Sequence, residues 1–181
     1  MLDGEKTIIQ DAVKGESSAF GLLYDHYHSQ IYRFVFVKVN RREEAEDLTH
    51  QVFLSAWKNI GKYQDLGFPF SSWLYRIARN EVIDYYRGHK ETMSFDEVDP
   101  QIFATQLATS DFVDDKLEMN RVLTAIHKLK SHHQDVLIMR FVEDMALKDV
   151  AAALHKSEGA VKLIQHRAVK QLQRILDASH D

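Results

Sequence analysis

Hydrophobic residues recur every three or four positions along most of the chain, which is the spacing of one face of an α-helix. Residues that interrupt helices are scarce, with only 2 prolines and 7 glycines in 181 residues. The spacing predicts a long helix from Ser17 to Val39. Its predicted buried face carries Phe20, Leu23, Tyr27, Ile31, Phe34 and Val35. We therefore predict an all-α fold.

Two more helices are predicted before residue 90. Asn40 is followed three residues later by Glu43, which resembles a capping box and predicts a helix that continues through Asn59. Residues 61–69 form a predicted loop, and the next helix ends near Gly88. The predicted core side of that helix carries Phe70, Trp73, Leu74, Ile77, Ala78 and Tyr85.

Charge divides the chain into three parts, although the net charge is only −4. Residues 1–90 carry equal numbers of basic and acidic side chains, and residues 91–115 carry seven acidic side chains and no basic one. Beyond residue 115 the basic residues dominate. We predict two small helical domains, at 1–90 and 116–181, joined by an extended acidic linker at 91–115. The basic second domain is expected to face an anion.

The second domain carries the pattern of a helix-turn-helix. A short helix is predicted from Leu147 to Leu154, and a longer one begins at Ser157, a good N-cap residue, and ends near Leu176. Ala151 is small where the two helices must cross closely. An ordinary helical hairpin with one polar face is the alternative.

The helix of residues 70–88 has a second, polar side that suits single-stranded nucleic acid. Arginines neutralise phosphates, aromatic rings stack on unpaired bases, and an asparagine amide pairs with a base edge. The residues of this side are Arg76, Asn80, Ile83 and Arg87, flanked by Arg79 and Tyr86. A solvated basic face is the competing interpretation.

Other features exclude whole classes of function. The chain has no cysteine, so disulfides, thiol catalysis and cysteine-ligated metals are excluded. The ten histidines lack metal-ligand spacing, and neither a glycine-rich phosphate loop nor a nucleophile elbow is present. The N-terminus is not signal-like and no apolar run is long enough to span a membrane. We expect a cytoplasmic protein without membrane insertion, catalytic residues, metal or cofactor.

With these pieces in place, the chain resembles the bacterial extracytoplasmic-function sigma factors. Residues 15–27 are similar to the opening of the family's second conserved region, and residues 45–57 resemble its core-polymerase-binding helix. Residues 70–87 resemble the helix for promoter melting and minus-ten recognition, and residues 129–172 resemble the region that recognises the minus-thirty-five element. The resemblance implies a non-enzymatic factor that binds core RNA polymerase and directs it to promoter DNA, with an anti-sigma factor as a further partner.

The resemblance also implies roles for particular residues. The face toward the largest polymerase subunits would be Asp47, His50, Gln51 and Leu54. Minus-ten DNA would contact Phe68, Arg76, Arg79, Asn80 and Arg87. Minus-thirty-five DNA would contact Ser157, Glu158, Lys162, His166 and Lys170. Two departures stand out: Ala146 replaces a usual serine cap, and Leu163-Ile164-Gln165 replaces a commoner Ser-Arg-Leu.

Two other classes of protein remain as alternatives. The first is a one-component helix-turn-helix regulator whose N-terminal helices bind a ligand or form a dimer. The second is a helical metal-dependent enzyme that uses the histidines. Neither accounts for the aromatic and cationic helix of residues 70–88.

Overall fold

The computed structural model describes residues 2–88 and 121–178, and these residues form helices and connecting turns without a strand. In the part described, the first domain contains four α-helices and a single 3₁₀ turn at Ile60–Lys62. Its helices are α1 (Glu5–Val13), α2 (Ser17–Val39), α3 (Arg42–Asn59) and α4 (Phe70–Gly88). The all-α prediction is confirmed, and α1 is an addition that the sequence pattern did not predict.

The first described helix of the second domain covers residues 121–127 and is here called α5. α6 spans Ser131–Leu137 and continues as one π-helical stretch, Ile138–Val142. α7 (Leu147–Leu154) and α8 (Glu158–Asp177) follow, separated by a three-residue turn. The predicted helix-turn-helix is thus confirmed, whereas the predicted linker at 91–115 lies outside the described residues.

The start of α3 differs from the prediction. Asn40 does not cap α3 but closes α2, with φ of 57° and its backbone N–H donating to the Phe36 carbonyl at 2.8 Å. Arg41 is the residue before α3, and no side chain caps that helix. The capping-box prediction is therefore wrong, because asparagine tolerates the left-handed conformation that a helix end requires.

The core of the first domain forms around α2, which packs against α1, α3 and α4. Apolar side chains at helical spacing from three helices interlock here, and each of them is almost fully removed from solvent. They are Leu23, Ile31, Phe34, Val35, Val52, Ala56, Phe70, Leu74 and Val82. Burial on this scale stabilises the fold by roughly 1.5–3 kcal/mol per large side chain.

α4 is buried on a wider side than the sequence pattern predicts. Tyr75 and Val82 are fully buried, whereas Trp73 and Ile77 are only partly buried. The reason is that α4 contacts two neighbours at once, the first-domain core and helix α7 of the second domain.

In the second domain, the apolar core forms where α6 and α7 pack on α8, and it is continuous with the core of the first domain. Its fully buried members are Val136, Ile138, Met139, Val150, Val161 and Ala168. Ala151, the small residue predicted for the crossing of the two helix-turn-helix helices, is buried. Because α8 packs against the core through Val161 and Ala168, its other side is exposed to solvent.

Candidate functional sites

α3 presents a polar face that is separate from the core. Its core side is formed by Ala45, Val52, Phe53 and Ala56, all buried. The opposite side carries Asp47, His50, Gln51 and Leu54, all exposed. Leu54 keeps 46% of its surface in solvent although its neighbours are polar or charged. The structure therefore brings together the four residues that the sequence predicts as one face.

The polar side of α4 borders a cavity of about 390 Å³. Asn80 is exposed in this cavity, and Trp73 and Arg76 form part of its wall. Phe68 lies in a neighbouring cavity of about 250 Å³, of which Trp73 and Arg76 are also part. Asn80 and Phe68, both predicted to contact the minus-ten element, thus lie in neighbouring cavities that share Trp73 and Arg76.

Three arginines on α4 are predicted to contact DNA, and two of them also contact the second domain. The Arg79 guanidinium donates to Asp135 Oδ2 at 2.9 Å, and Arg76 Nη1 lies 2.8 Å from His155 Nε2. Arg87, at the end of the helix, is exposed and pairs only loosely with Asp84 at 3.3 Å. Part of the polar side of α4 therefore contacts the second domain, and the rest is exposed to solvent.

A buried ion pair is part of this domain contact. The Lys38 ammonium, at the end of α2, binds Asp135 of α6, and both side chains are almost completely excluded from solvent. Lys38 Nζ also donates to Ser131 Oγ at 3.0 Å. Burial lowers the pKa of Lys38, while the adjacent Asp135 carboxylate acts in the opposite direction. Asp135 is thus held between two cations, Lys38 and Arg79.

Two more contacts join the domains. Arg33 donates two hydrogen bonds to the Glu143 carboxylate, at 3.0 and 2.9 Å. The Ser72 hydroxyl donates to the backbone carbonyl of Asp149 at 3.1 Å. No local pattern in the sequence predicts any of these contacts. The one available signal was Lys38 itself, a charge within the otherwise apolar run of residues 34–39.

The helix-turn-helix has well-formed turn geometry. His155 closes α7 in the left-handed conformation, with φ of 50°. The Ser157 hydroxyl then accepts from the Ala160 backbone N–H at 3.2 Å, so Ser157 is the N-cap of α8, as predicted. Ala146 precedes α7 in extended conformation without any side-chain cap. The missing serine therefore leaves this helix start uncapped.

The outward side of α8 carries all of its predicted DNA-contacting residues. Glu158 is exposed in the first turn, and Lys162, His166 and Lys170 follow along the same side. Val161 and Ala168, on the opposite side of α8, are fully buried. The structure therefore presents these four side chains together, on a helix long enough to lie in a DNA groove.

Neither a membrane span nor a metal site accompanies these surfaces in the described part of the chain. Within residues 2–88 and 121–178, no helix combines the length and apolar character needed to cross a membrane. In the same residues, no three histidine or carboxylate side chains come together where they could hold a metal ion.

Comparison with known families matches both domains. The family model for Sigma-70 region 2 matches residues 23–92, and that for Sigma-70 region 4 matches residues 125–174. The sigma factor BldN of Streptomyces coelicolor is 33% identical over 172 residues, which are 93% of this chain and 64% of BldN. SigW of Bacillus subtilis is 29% identical over 94% of this chain and 96% of its own length.

Solved structures agree on the fold. CnrH, in complex with the cytosolic domain of CnrY, has a TM-score of 0.73 at 24% identity, with 96% and 97% of the two chains covered. RpoE of Bartonella quintana, in complex with the anti-sigma factor NepR, has a TM-score of 0.67 at 19% identity, with 87% and 96% covered. The two family models together with the BldN and SigW matches show that the chain belongs to the extracytoplasmic-function sigma factors, the compact initiation factors that direct RNA polymerase to promoters.

Proposed function

We propose that this sigma factor binds core RNA polymerase through the exposed face of α3 and recognises its promoters at two separate elements. The observation that carries the polymerase contact is Leu54, an apolar side chain left exposed among Asp47, His50 and Gln51. An apolar residue inside a polar rim is typical of the centre of a protein interface. We propose that the protein has no catalytic activity and acts in the cytoplasm.

The minus-ten element would bind at α4 and the loop that precedes it. Asn80 would hydrogen-bond an unpaired base, Phe68 would stack on a base, and the arginines would bind phosphates. Arg76 and Arg79 contact the second domain in the free chain. These two arginines therefore become available to DNA when the domains separate.

The minus-thirty-five element would bind at α8 of the helix-turn-helix. Lys162 and Lys170 would neutralise phosphates, Glu158 and His166 would lie near base edges, and Ser157 would fix the start of the helix. The acidic linker would join the two DNA contacts. Linking two weak contacts raises the effective concentration of each at its own element, so a two-part promoter is selected without a large interface on either side.

An anti-sigma factor would be the third partner. RpoE of Bartonella quintana, which shares the fold of this chain, forms a complex with the anti-sigma factor NepR. A protein of this type would prevent initiation here by covering the α3 face or by holding the two domains together.

Binding to core polymerase tests the proposal directly. Leu54→Glu places a charge at the centre of the α3 face, so we expect co-purification with core polymerase to be lost while the helical circular dichroism remains. Leu22→Glu is the matched control, because Leu22 is similarly exposed but lies on α2. If the Leu54 variant supported promoter-dependent transcription at the wild-type level, the interface assignment would be wrong.

The same preparation also checks the two other classes of protein considered from the sequence, which the family membership argues against. A one-component regulator would elute as a dimer and bind duplex DNA tightly without polymerase. A metal-dependent enzyme would retain stoichiometric metal after purification, which elemental analysis detects.

A further inference from the structure

Leu163 is an apolar side chain on the outward, cationic side of α8. It keeps 49% of its surface in solvent, and it is the one large apolar residue of this fully described helix that does so. Its exposed neighbours along the helix are Lys162, His166, Arg167 and Lys170. Ile164, the next residue, is partly buried against the second-domain core, so Leu163 is not needed to complete that core.

The position of Leu163 makes it accessible to a groove of DNA. At 100° per residue it lies within about 40° of the direction opposite the buried Val161 and Ala168. It belongs to the second turn of α8, and recognition helices contact base edges mainly through their first turns. The side chain is therefore near the middle of the surface that α8 would present to a duplex.

Gly159, one turn earlier, leaves space beside Leu163. Helical side chains lean toward the N-terminus of their helix, so Leu163 inclines over the backbone of Gly159. A Cβ added at Gly159 would meet no atom within 4 Å. Leu163 by itself therefore forms a small apolar patch, with open space on its Gly159 side.

The charge around this patch indicates what would cover it. Lys162, Arg167 and Lys170 surround an apolar spot with cations, which favours a polyanion over a neutral protein partner. A duplex presents few apolar groups in its major groove, and the C5-methyl group of thymine is the main one. A leucine in this position thus has a specific counterpart on DNA.

We propose that Leu163 contacts the C5-methyl group of a thymine in the minus-thirty-five element and sets a thymine preference at that base pair. The inference rests on the proposed binding of α8 to that element. A serine at this position could donate or accept a hydrogen bond, whereas leucine can only bury apolar surface. The aliphatic side chain therefore changes what is recognised at one base pair.

Removing single methyl groups from the DNA tests the proposal. The full chain is assembled with core polymerase, and its minus-thirty-five sequence is identified by selection from a promoter library. Each thymine of that element is then replaced by deoxyuridine, which lacks only the C5-methyl group. We expect deoxyuridine at one position to weaken holoenzyme binding about fourfold, the effect of exposing one buried methyl group.

Two variants attribute the effect to Leu163. With Leu163→Ser, thymine and deoxyuridine should bind equally at that position, whereas Leu22→Ser, a similarly exposed leucine on α2, should keep the fourfold ratio. The proposal is overturned if no deoxyuridine weakens wild-type binding, or if Leu163→Ser retains the ratio.

A parallel measurement distinguishes this failure from failure of the proposed function. Lys162→Ala and Lys170→Ala should each lower the salt slope of promoter binding by about one if each lysine neutralises a phosphate. Lowered slopes without a deoxyuridine effect would reject only the role of Leu163. Unchanged slopes would place both lysines away from the DNA, and unchanged slopes without a deoxyuridine effect would reject DNA binding by α8.

Discussion

Asn80 shows how a single side chain could combine DNA melting with sequence preference. Its exposed amide borders the cavity of α4 next to Trp73 and Arg76. A base removed from the duplex stack exposes its Watson-Crick edge, and one amide can donate to that edge and accept from it. The adjacent indole and guanidinium would supply apolar surface and positive charge for the same nucleotide.

We predict that Asn80→Ala relaxes base preference at one minus-ten position, at a cost on the order of 1–3 kcal/mol for the preferred base. Binding to core polymerase should not change, because Asn80 and Leu54 lie on different helices. Permanganate reactivity of open complexes, measured with all four bases at each position, checks this.

Asn59→Ala is the matched control for this experiment. Asn59 is part of the same cavity, but its amide already donates to the Ser55 carbonyl at 2.9 Å. A shift in base preference with Asn59→Ala, and none with Asn80→Ala, would reassign the contact.

At the scale of one element, the two helices of the helix-turn-helix differ at their starts. Ser157 caps α8 through its hydroxyl, whereas Ala146 leaves α7 without a side-chain cap. Both residues have the same extended backbone conformation, with ψ of 153° and 149°. A serine at position 146 could therefore accept a hydrogen bond from the first turn without changing the backbone.

We predict that Ala146→Ser raises the free energy of unfolding by about 1 kcal/mol, and that Ser157→Ala lowers it by a similar amount. Urea denaturation of the full chain, followed by circular dichroism, measures both. Equal midpoints for wild type and Ala146→Ser would mean that the added hydroxyl remains bonded to water.

At the scale of the whole molecule, the two domains are joined through a carboxylate that binds two cations. Asp135 contacts Lys38 in the interior and Arg79 nearer the surface. Removing one member of a buried pair commonly costs about 3–5 kcal/mol, because the other charge is left without compensation. Separation of the domains would hydrate Lys38 and free Arg79 together.

We predict that Asp135→Asn shifts the free chain toward separated domains. The radius of gyration from small-angle X-ray scattering should increase, and binding to single-stranded minus-ten DNA without polymerase should strengthen. Asp144→Asn is the control, since Asp144 belongs to the same domain, carries the same charge and is exposed. An unchanged radius and unchanged binding would show that this ion pair does not hold the domains together.

The sequence by itself determined the helices of the described chain other than α1, the helix-turn-helix and the residues of the outward faces of α3 and α8. Each of these follows from local repetition: a helix places every third or fourth residue on one side, so the α3 and α8 faces could be assigned from spacing alone. The residue chemistry on those faces, including Leu54 and Lys162, is likewise visible in the sequence.

Only the tertiary structure decided which side of each helix is buried and which other segment it packs against. Lys38 and Asp135 are 97 residues apart, and Arg79 and Asp135 are 56 apart, so no local pattern could pair them. The burial of Tyr75 likewise depends on a second neighbour for α4. Periodicity identifies an apolar side of a helix, but the partner of that side depends on how separate segments pack, which is a property of the whole chain.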